Sequence, residues 1–362
     1  ELPMIRQLRV FVGAGLLCCA CSGDAAGPAT MIDLAQPWTR ATPSAAGMDP
    51  ELTTRAVSAA ASVSRVRALL VARHGRLVVE QYFGGADTTT RFDVRSVTKS
   101  IVSAVTGIAL SRGRLPGLAA TVGTYIGAPD TLDPGDSAVT IAELLTMTSG
   151  YQWNETSGSD YNLWVTSPNR IQFLLDRAQT GPPRPFTYNS AAVHLLGVLV
   201  QRAAGAPLPE FTDSVLLIPA GITSAIWEPL DSGTVNGGSG IALTGRDLLR
   251  YGQLLLQEGR SGDRQIIPAD WVHTMTAPHF PWRQTVRPQR GVTYGYLWWV
   301  TDGPPVHAFF AWGYGGQFVY IAPGLDLVAV VTTEWAGLGA AAPAIADSAL
   351  AVIVEGVLPA AR

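Results

Sequence analysis

The chain has 362 residues, enough for one large domain or two lobes, and 47% of them are hydrophobic while only 15% are charged. This balance supports an ample core and argues against intrinsic disorder. The formal net charge is -3, which argues against a nucleic-acid partner held through a phosphate-tracking surface. The three cysteines, Cys18, Cys19 and Cys21, all lie near the start, and no two histidines have close ligand spacing. We therefore predict no disulfide framework, no metal site and no cofactor.

Residues 1–21 have the features of an export signal. Two arginines precede an apolar stretch, residues 10–20, that is too short to span a bilayer as a stable helix. Cys21 follows an alanine, as at a bacterial lipoprotein cleavage site; the alternative is an ordinary secretory signal cut near Ala26. We predict an exported protein, periplasmic or anchored to the membrane only through a lipid on Cys21, with residues 22–45 as a tether.

The first predicted elements combine one helix with a hairpin. Helical spacing predicts a helix over residues 50–64. Two apolar β-type runs, at 67–73 and 76–83, are joined by His74-Gly75 and predict a hairpin. A long buried helix is predicted over 93–112.

The middle and the end of the chain differ in their patterns. Helical patterns separated by loops rich in Pro, Gly and Ser occur at residues 140–147, 168–178, 190–204 and 244–258. Strand patterns then return at residues 294–301, 306–312, 317–322 and 327–333, before a final predicted helix at 341–356.

Strands at both ends and helices between them predict an α/β fold of the α+β type over residues 46–357. One lobe, formed by residues 46–120 and 285–357, would be an antiparallel sheet flanked by helices. Residues 121–284 would form an all-helical insert. We place the active site in the cleft between these lobes.

Lys99 is the only lysine in the chain, and it follows Ser96 by three residues at a predicted helix start. Residues three apart share a helix face, and the N-terminal amides of a helix favour developing negative charge. A desolvated lysine can lose its proton near neutral pH, whereas arginine cannot, so Lys99 could activate the Ser96 hydroxyl. The structural alternative is an N-cap serine beside a solvated lysine, which fits the mostly apolar residues 97–110 less well.

Further blocks resemble one family. The segment Phe186-Thr187-Tyr188-Asn189-Ser190, followed by Leu195-Leu196-Gly197, resembles the second motif of the serine β-lactamase-like family. That family includes class C β-lactamases, penicillin-binding proteins, carboxylesterases and nylon-oligomer hydrolases. Other blocks similar to those of the family recur in order at residues 144–150, 247–252, 294–299 and 313–317. The resemblance extends from about residue 40 to 357.

The resemblance implies catalytic roles for three residues. Ser96 would be the acylated nucleophile and Lys99 its activating partner. Tyr188 would relay a proton to the leaving group and activate water. A phenol near an ammonium can have its pKa lowered, which would suit such a role; the alternative is a core aromatic whose hydroxyl is satisfied.

The resemblance also implies residues that bind the oxyanion or the substrate, namely Ser190, Trp312, Gly313, Tyr314 and Gly315. Backbone N–H groups must hold the oxyanion during acyl transfer, and by resemblance the donors are those of Ser96 and of the strand near Tyr314. The glycines would let that strand approach a substrate closely; the alternative is a turn without a ligand.

Two departures from the penicillin-recognising pattern concern polar groups. Ser190 stands where asparagine is usual, and Asn189 is displaced by one position. The chain also has no second lysine for the third motif, where an ammonium would pair with a substrate carboxylate. Both features resemble the esterase and amide-hydrolase branches, especially the nylon-oligomer hydrolases.

We therefore predict a serine hydrolase that cleaves small esters or amides through an acyl-enzyme; its oligomeric state stays open. The alternatives are a β-lactamase or cell-wall D-alanyl peptidase, and a catalytically silent ligand- or peptidoglycan-binding protein. One or two of a group of loop residues would line the pocket, from Tyr151, Trp153, Asp160, Tyr161 and Trp164. His194 and His307 are expected to be structural, because Lys99 takes the role of the base.

Overall fold

The computed structural model describes residues 30–155, 159–230 and 233–362. The predicted export signal with Cys21, and the first part of the predicted tether, lie outside these ranges. The strands are β1 (Val66–Arg73), β2 (Arg76–Tyr82), β3 (Arg91–Asp93), β4 (Ile226–Trp227), β5 (Ile241–Thr244), β6 (Arg260–Ser261), β7 (Arg264–Gln265), β8 (Gln284–Val286), β9 (Gln289–Tyr294), β10 (Trp299–Thr301), β11 (Ala308–Gly313), β12 (Gln317–Ala322) and β13 (Leu327–Thr333).

The α-helices are distributed along the whole described chain. They are α1 (Pro50–Ser62), α2 (Val97–Ser111), α3 (Val122–Tyr125), α4 (Pro134–Ala138), α5 (Ile141–Leu145), α6 (Ser159–Val165), α7 (Arg170–Leu175), α8 (Ser190–Ala204), α9 (Leu208–Thr212), α10 (Gly245–Leu256), α11 (Ala269–Thr276), α12 (Ala342–Ala351) and α13 (Leu358–Ala360). Two π-helical segments, Asp213–Leu217 and Val352–Val357, continue α9 and α12.

Within the described residues, eight strands form one antiparallel sheet in the order β2-β1-β13-β12-β11-β10-β9-β8. The predicted antiparallel sheet flanked by helices is therefore confirmed. Both chain ends build it, because Leu69 of β1 is paired with Val331 of β13. Strand β13 is buried along its whole length, which explains its nearly continuous run of apolar and β-branched residues.

Helices cover both faces of this sheet. Helix α10 packs so closely on one face that a side chain at Gly252 would lie 2.5 Å from Val328. Helix α1 also packs against β1, and α12 packs against β12 and β13. The C-terminal stretch Gly339–Ala360 is long and apolar enough to cross a membrane by length and composition, and half of its apolar window is buried inside the fold.

The first hairpin is confirmed, and its turn lies at His74 and Gly75, which both have positive φ angles (50° and 66°). The predicted helix over 93–112 begins four residues later, at Val97. Arg95 has a φ of 49°, a left-handed conformation that an α-helix cannot include, and Asp93 belongs to β3.

The expected single strand over 294–301 is a hairpin instead. Strand β9 ends at Tyr294 and β10 begins at Trp299, with Leu297 between them at a φ of 63°. The Gly295 N–H donates to the Trp298 carbonyl at 2.8 Å and closes the turn. A periodic apolar pattern cannot reveal such a turn when its residues are as apolar as the strands around them.

The expectation of an all-helical insert over 121–284 needs two corrections. Residues in this range contribute β4 and β5, which join β3 in a small antiparallel sheet, and the hairpin of β6 and β7. Helix α10 also packs on the large sheet rather than among the helices of the insert. Its buried leucines, such as Leu248 and Leu255, match an apolar sheet face as well as a helical one.

Candidate active site

A tight turn between β3 and α2 presents Ser96. The Asp93 carboxylate accepts the Arg95 N–H at 3.0 Å and supports the left-handed conformation of Arg95. Ser96 then takes the N-cap position of α2, yet its side chain makes no capping hydrogen bond. Its hydroxyl is therefore directed to other partners, and the N-cap alternative does not account for this serine.

Lys99 is the centre of the site. Its side chain is only 1% exposed. Its Nζ lies 2.8 Å from Ser96 Oγ, 2.8 Å from Ser190 Oγ and 2.7 Å from the Gly238 carbonyl oxygen. Burial lowers the pKa of Lys99 from 10.5 to about 7; the charge of Glu155 opposes this change, and that of Arg95 adds to it. Lys99 can therefore accept a proton near neutral pH, and it is not a solvated lysine.

Tyr188 is fixed beside Lys99 by its neighbours on both sides. The Thr187 N–H donates to the Met147 carbonyl at 2.8 Å, and Asn189 caps α8 by accepting the Ala192 N–H at 2.9 Å. The block at 144–150 thus supports the segment that carries Tyr188. Asn189 is directed to its helix, as its displaced position in the motif suggests.

The Tyr188 ring lies 4.9 Å from Lys99 Nζ and stacks on Trp299 at 6.1 Å, and its hydroxyl lies near Ser96. Burial raises the pKa of Tyr188 far above its usual value of 10. The expected lowering by a neighbouring ammonium is therefore wrong, because desolvation disfavours a phenolate in this position. Tyr188 is a protonated phenol at neutral pH, suited to donating a proton.

Glu155 lies at the site although no sequence pattern indicated it. Its carboxylate accepts hydrogen bonds from the Ser190 hydroxyl, from the Ser190 N–H at 3.1 Å and from Trp153 Nε1 at 2.5 Å. Trp153 thus holds Glu155 rather than lining the pocket itself. A single carboxylate in an irregular loop belongs to no periodic pattern, and only its place after two aromatic residues could have drawn attention to it.

A cavity of about 270 Å³ opens at Ser96. Of the sequence-predicted loop residues, Tyr161 lines it, and so does Tyr314 of the third motif, together with Glu155 and Trp335. Tyr151 and Trp164 are core residues, and Asp160 pairs with Arg177 at 3.0 Å. The cavity is thus lined by three aromatic rings together with polar and charged side chains, those of Arg95, Asn162 and Ser239 among them.

Ser190 takes its expected place at the site through its contact with Lys99, whereas three other residues lie behind the cavity. Trp312 packs on Trp299 at 5.5 Å and so supports the Tyr188 stack. A side chain at Gly313 would lie 2.2 Å from the Val94 carbonyl oxygen, and Gly315, with a φ of 78°, turns the chain against Trp335. These glycines therefore permit close approach of the protein's own backbone, and the turn alternative describes them better than direct substrate contact.

Neither His194 nor His307 is among the residues that contact Lys99 Nζ or line the cavity. His194 is buried, and its Nδ1 lies 3.0 Å from the Val235 carbonyl oxygen. His307 is exposed just before β11. Among the residues that the structure describes, no group of three or more His, Cys, Asp or Glu side chains could hold a metal ion.

Comparison with known proteins gives the family and two hydrolase relatives. The family model described as Beta-lactamase matches residues 54–352. The 6-aminohexanoate-dimer hydrolase of Paenarthrobacter ureafaciens is 24% identical over 303 residues, which cover 74% of this chain and 72% of that protein. Esterase EstB of Burkholderia gladioli is 33% identical over 175 residues, which cover 42% of this chain and 44% of EstB.

The fold is also found in solved structures. An octameric penicillin-binding protein homologue from Pyrococcus abyssi has a TM-score of 0.67 with 19% sequence identity, over 84% of this chain and 77% of that one. At this identity the likeness concerns the fold alone. Since the family match covers most of the chain and both relatives named above are hydrolases, this protein belongs to the β-lactamase family and is an enzyme of its serine-hydrolase type.

Proposed function

We propose that this enzyme hydrolyses small esters or amides through an acyl-enzyme on Ser96. The observation that carries the proposal is the buried Lys99 amine, 2.8 Å from Ser96 Oγ and with a pKa of about 7. The esterase and the amide hydrolase among the relatives support this substrate class.

In the proposed reaction, neutral Lys99 takes the Ser96 proton while Oγ attacks the substrate carbonyl carbon. Backbone N–H groups, by resemblance to the family those of Ser96 and of the strand near Tyr314, would hold the oxyanion. The protonated Tyr188 would donate its proton to the leaving group as the bond to it breaks, and the Lys99 ammonium would return a proton to Tyr188. Water would then release the acyl group by the reverse sequence of proton transfers.

The test uses a short p-nitrophenyl ester and labelling by a fluorophosphonate. Ser96→Ala should abolish both turnover and labelling. Lys99→Arg should lower kcat/KM by about 10²–10⁴-fold, because the positive charge stays and proton acceptance is lost.

Ser100→Ala is the matched control, because the Ser100 hydroxyl donates to the Val97 carbonyl at 2.7 Å and takes no part in the site. It should keep wild-type turnover. Retained hydrolysis in Ser96→Ala would reject the proposal. Nitrocefin turnover as fast as ester turnover would favour the β-lactamase alternative, against which the missing third-motif lysine counts.

A further inference from the structure

We propose that Glu155 is a positioning residue that sets the direction of the hydrogen bonds around Lys99, so that the lone pair of the neutral amine faces Ser96. The inference rests on the proposed function, in which that lone pair takes the Ser96 proton. The observations behind it are the donors and acceptors around Lys99 Nζ and the Glu155 carboxylate, which contacts one of them, the Ser190 hydroxyl.

A neutral primary amine has two hydrogens and one lone pair. In the described ranges of the chain, three oxygen atoms lie within hydrogen-bonding distance of Lys99 Nζ, those of Ser96, Ser190 and Gly238. The Gly238 oxygen is a backbone carbonyl and can only accept, so one amine hydrogen is committed to it.

Ser190 commits the second hydrogen. A serine hydroxyl has a single hydrogen, and Ser190 donates it to Glu155, whose carboxylate can only accept. Ser190 Oγ must then accept from Lys99, which uses the remaining amine hydrogen. The lone pair is left for the Ser96 hydroxyl, the arrangement that proton removal from Ser96 needs.

Glu155 is itself fixed in orientation. One carboxylate oxygen accepts from both the Ser190 N–H and Trp153 Nε1, and the other accepts from the Ser190 hydroxyl. In a Glu155→Gln variant, the two N–H donors would hold the amide oxygen at the first position. The amide NH2 would then face Ser190 Oγ as a donor and turn the Ser190 hydrogen towards Lys99. The substitution therefore reverses the direction of the hydrogen bonds without removing a side chain.

The same substitution also has an electrostatic effect. The reversed hydrogen bonds lower the rate, whereas the loss of charge extends activity to lower pH. Among the residues that the structure describes, the charged groups that act on Lys99 are Glu155 and Arg95, and the neutral ring of Tyr188 faces it. The charge of Glu155 also reaches Tyr294, which packs against Tyr188. A carboxylate favours the ammonium form, so its removal lowers the pKa of Lys99 further. The acid limb of the kcat/KM profile, which follows the loss of the Lys99 proton, should then move to lower pH.

The experiment measures kcat/KM for a p-nitrophenyl ester from pH 5 to 9 in four proteins: wild type, Glu155→Gln, Glu155→Asp and Glu143→Gln. In Glu155→Gln we expect a plateau about 10- to 100-fold lower and an acid limb about one pH unit lower. Glu155→Asp keeps the negative charge, so the acid limb of its kcat/KM profile should lie at the same pH as that of wild type. Glu143→Gln is the control, because Glu143 pairs with Arg184 and is not among the groups that act on Lys99.

A loss of rate in Glu155→Gln at every pH without movement of the limb would overturn the inference, because a structural defect of the loop would have that result. An unchanged plateau would overturn it as well. Neither result would affect the proposed function, which fails only if Ser96→Ala still hydrolyses the ester.

A double mutant tests whether Glu155 acts through the Ser190 hydroxyl. In a Ser190→Ala background there is no hydroxyl hydrogen to direct, so Glu155→Gln should lower the plateau by less than about 3-fold. Losses that simply multiply in the double mutant would contradict the hydrogen-bond argument.

Discussion

Replacing Lys99 by methionine should make the stability of the fold less dependent on pH, in addition to abolishing hydrolysis. The pKa of Lys99 is 10.5 in ordinary surroundings and about 7 in the folded protein. Since one pKa unit is worth about 1.36 kcal/mol, burying this amine costs about 5 kcal/mol when the unfolded chain is protonated. Methionine has a similar length and no charge, so this cost disappears in the variant.

The direction in which the stability of the wild-type fold changes with pH follows from proton binding. Between about pH 7 and 10.5 the unfolded wild-type chain holds a proton on Lys99 that the folded protein does not, so its stability rises with pH across that window. Below about pH 7 both states are protonated and the full cost applies. At pH 9 the pH is only 1.5 units below the pKa of Lys99 in the unfolded chain, so the cost of burying the amine falls to about 2 kcal/mol.

The hydrogen bonds that methionine loses, to Ser96, Ser190 and Gly238, shift the stability of the variant by a similar amount at every pH. The change with pH is therefore the informative quantity. The unfolding free energy of Lys99→Met minus that of wild type should be about 3 kcal/mol more positive at pH 6 than at pH 9.

Urea denaturation at pH 6, 7.5 and 9, followed by tryptophan fluorescence, measures this difference. The Ser100→Ala protein serves again as the control, and its curve should run parallel to that of wild type at all three pH values. If the difference between Lys99→Met and wild type is the same at pH 6 and pH 9, Lys99 keeps its ordinary pKa and the argument from desolvation fails.

Two further predictions concern the support of the site. Asn189→Ala should lower the unfolding free energy by about 1 kcal/mol, because the N-cap of α8 is lost; Asn189→Ser should recover most of it, and an equal loss in both variants would contradict a capping role. Gly313→Ala should cost about 1–3 kcal/mol and lower kcat/KM, because the new side chain would meet the Val94 carbonyl at the approach to the nucleophile. Gly324→Ala is the control, because nothing lies within 4 Å of a side chain there, and it should change stability by less than about 0.5 kcal/mol. Equal effects at Gly313 and Gly324 would refute the explanation by contact with Val94. Urea titrations and ester assays measure all four variants.

The sequence could indicate the proposed catalytic groups because they are encoded locally. Ser96 and Lys99 are one helical turn apart, and Tyr188 stands in a short recognisable segment. Residues that act across the fold were harder to predict. Glu155 meets Ser190 only because its loop packs against the start of α8, and Gly238 contributes a carbonyl that every residue has.

The fold was predictable where turns have a chemical signature. His74-Gly75 marked the first hairpin, and the apolar face of α8 was recovered with its bounds, 190–204. The turn at Leu297 was missed because its partners are distant: the Leu297 N–H donates to the Leu145 carbonyl at 3.1 Å. Tertiary contacts of this kind override local preference, so a single sequence contains no pattern for them.

The pairing of β1 with β13 has a consequence for synthesis on the ribosome. Residues near the start of the fold must wait for a partner made more than two hundred residues later, and such non-local pairing slows folding. Until then, the β1–β2 hairpin of a nascent chain exposes an apolar edge to other chains and to chaperones. Translation that stops before β13 would release a protein that contains the three proposed catalytic residues but lacks a central strand of the large sheet.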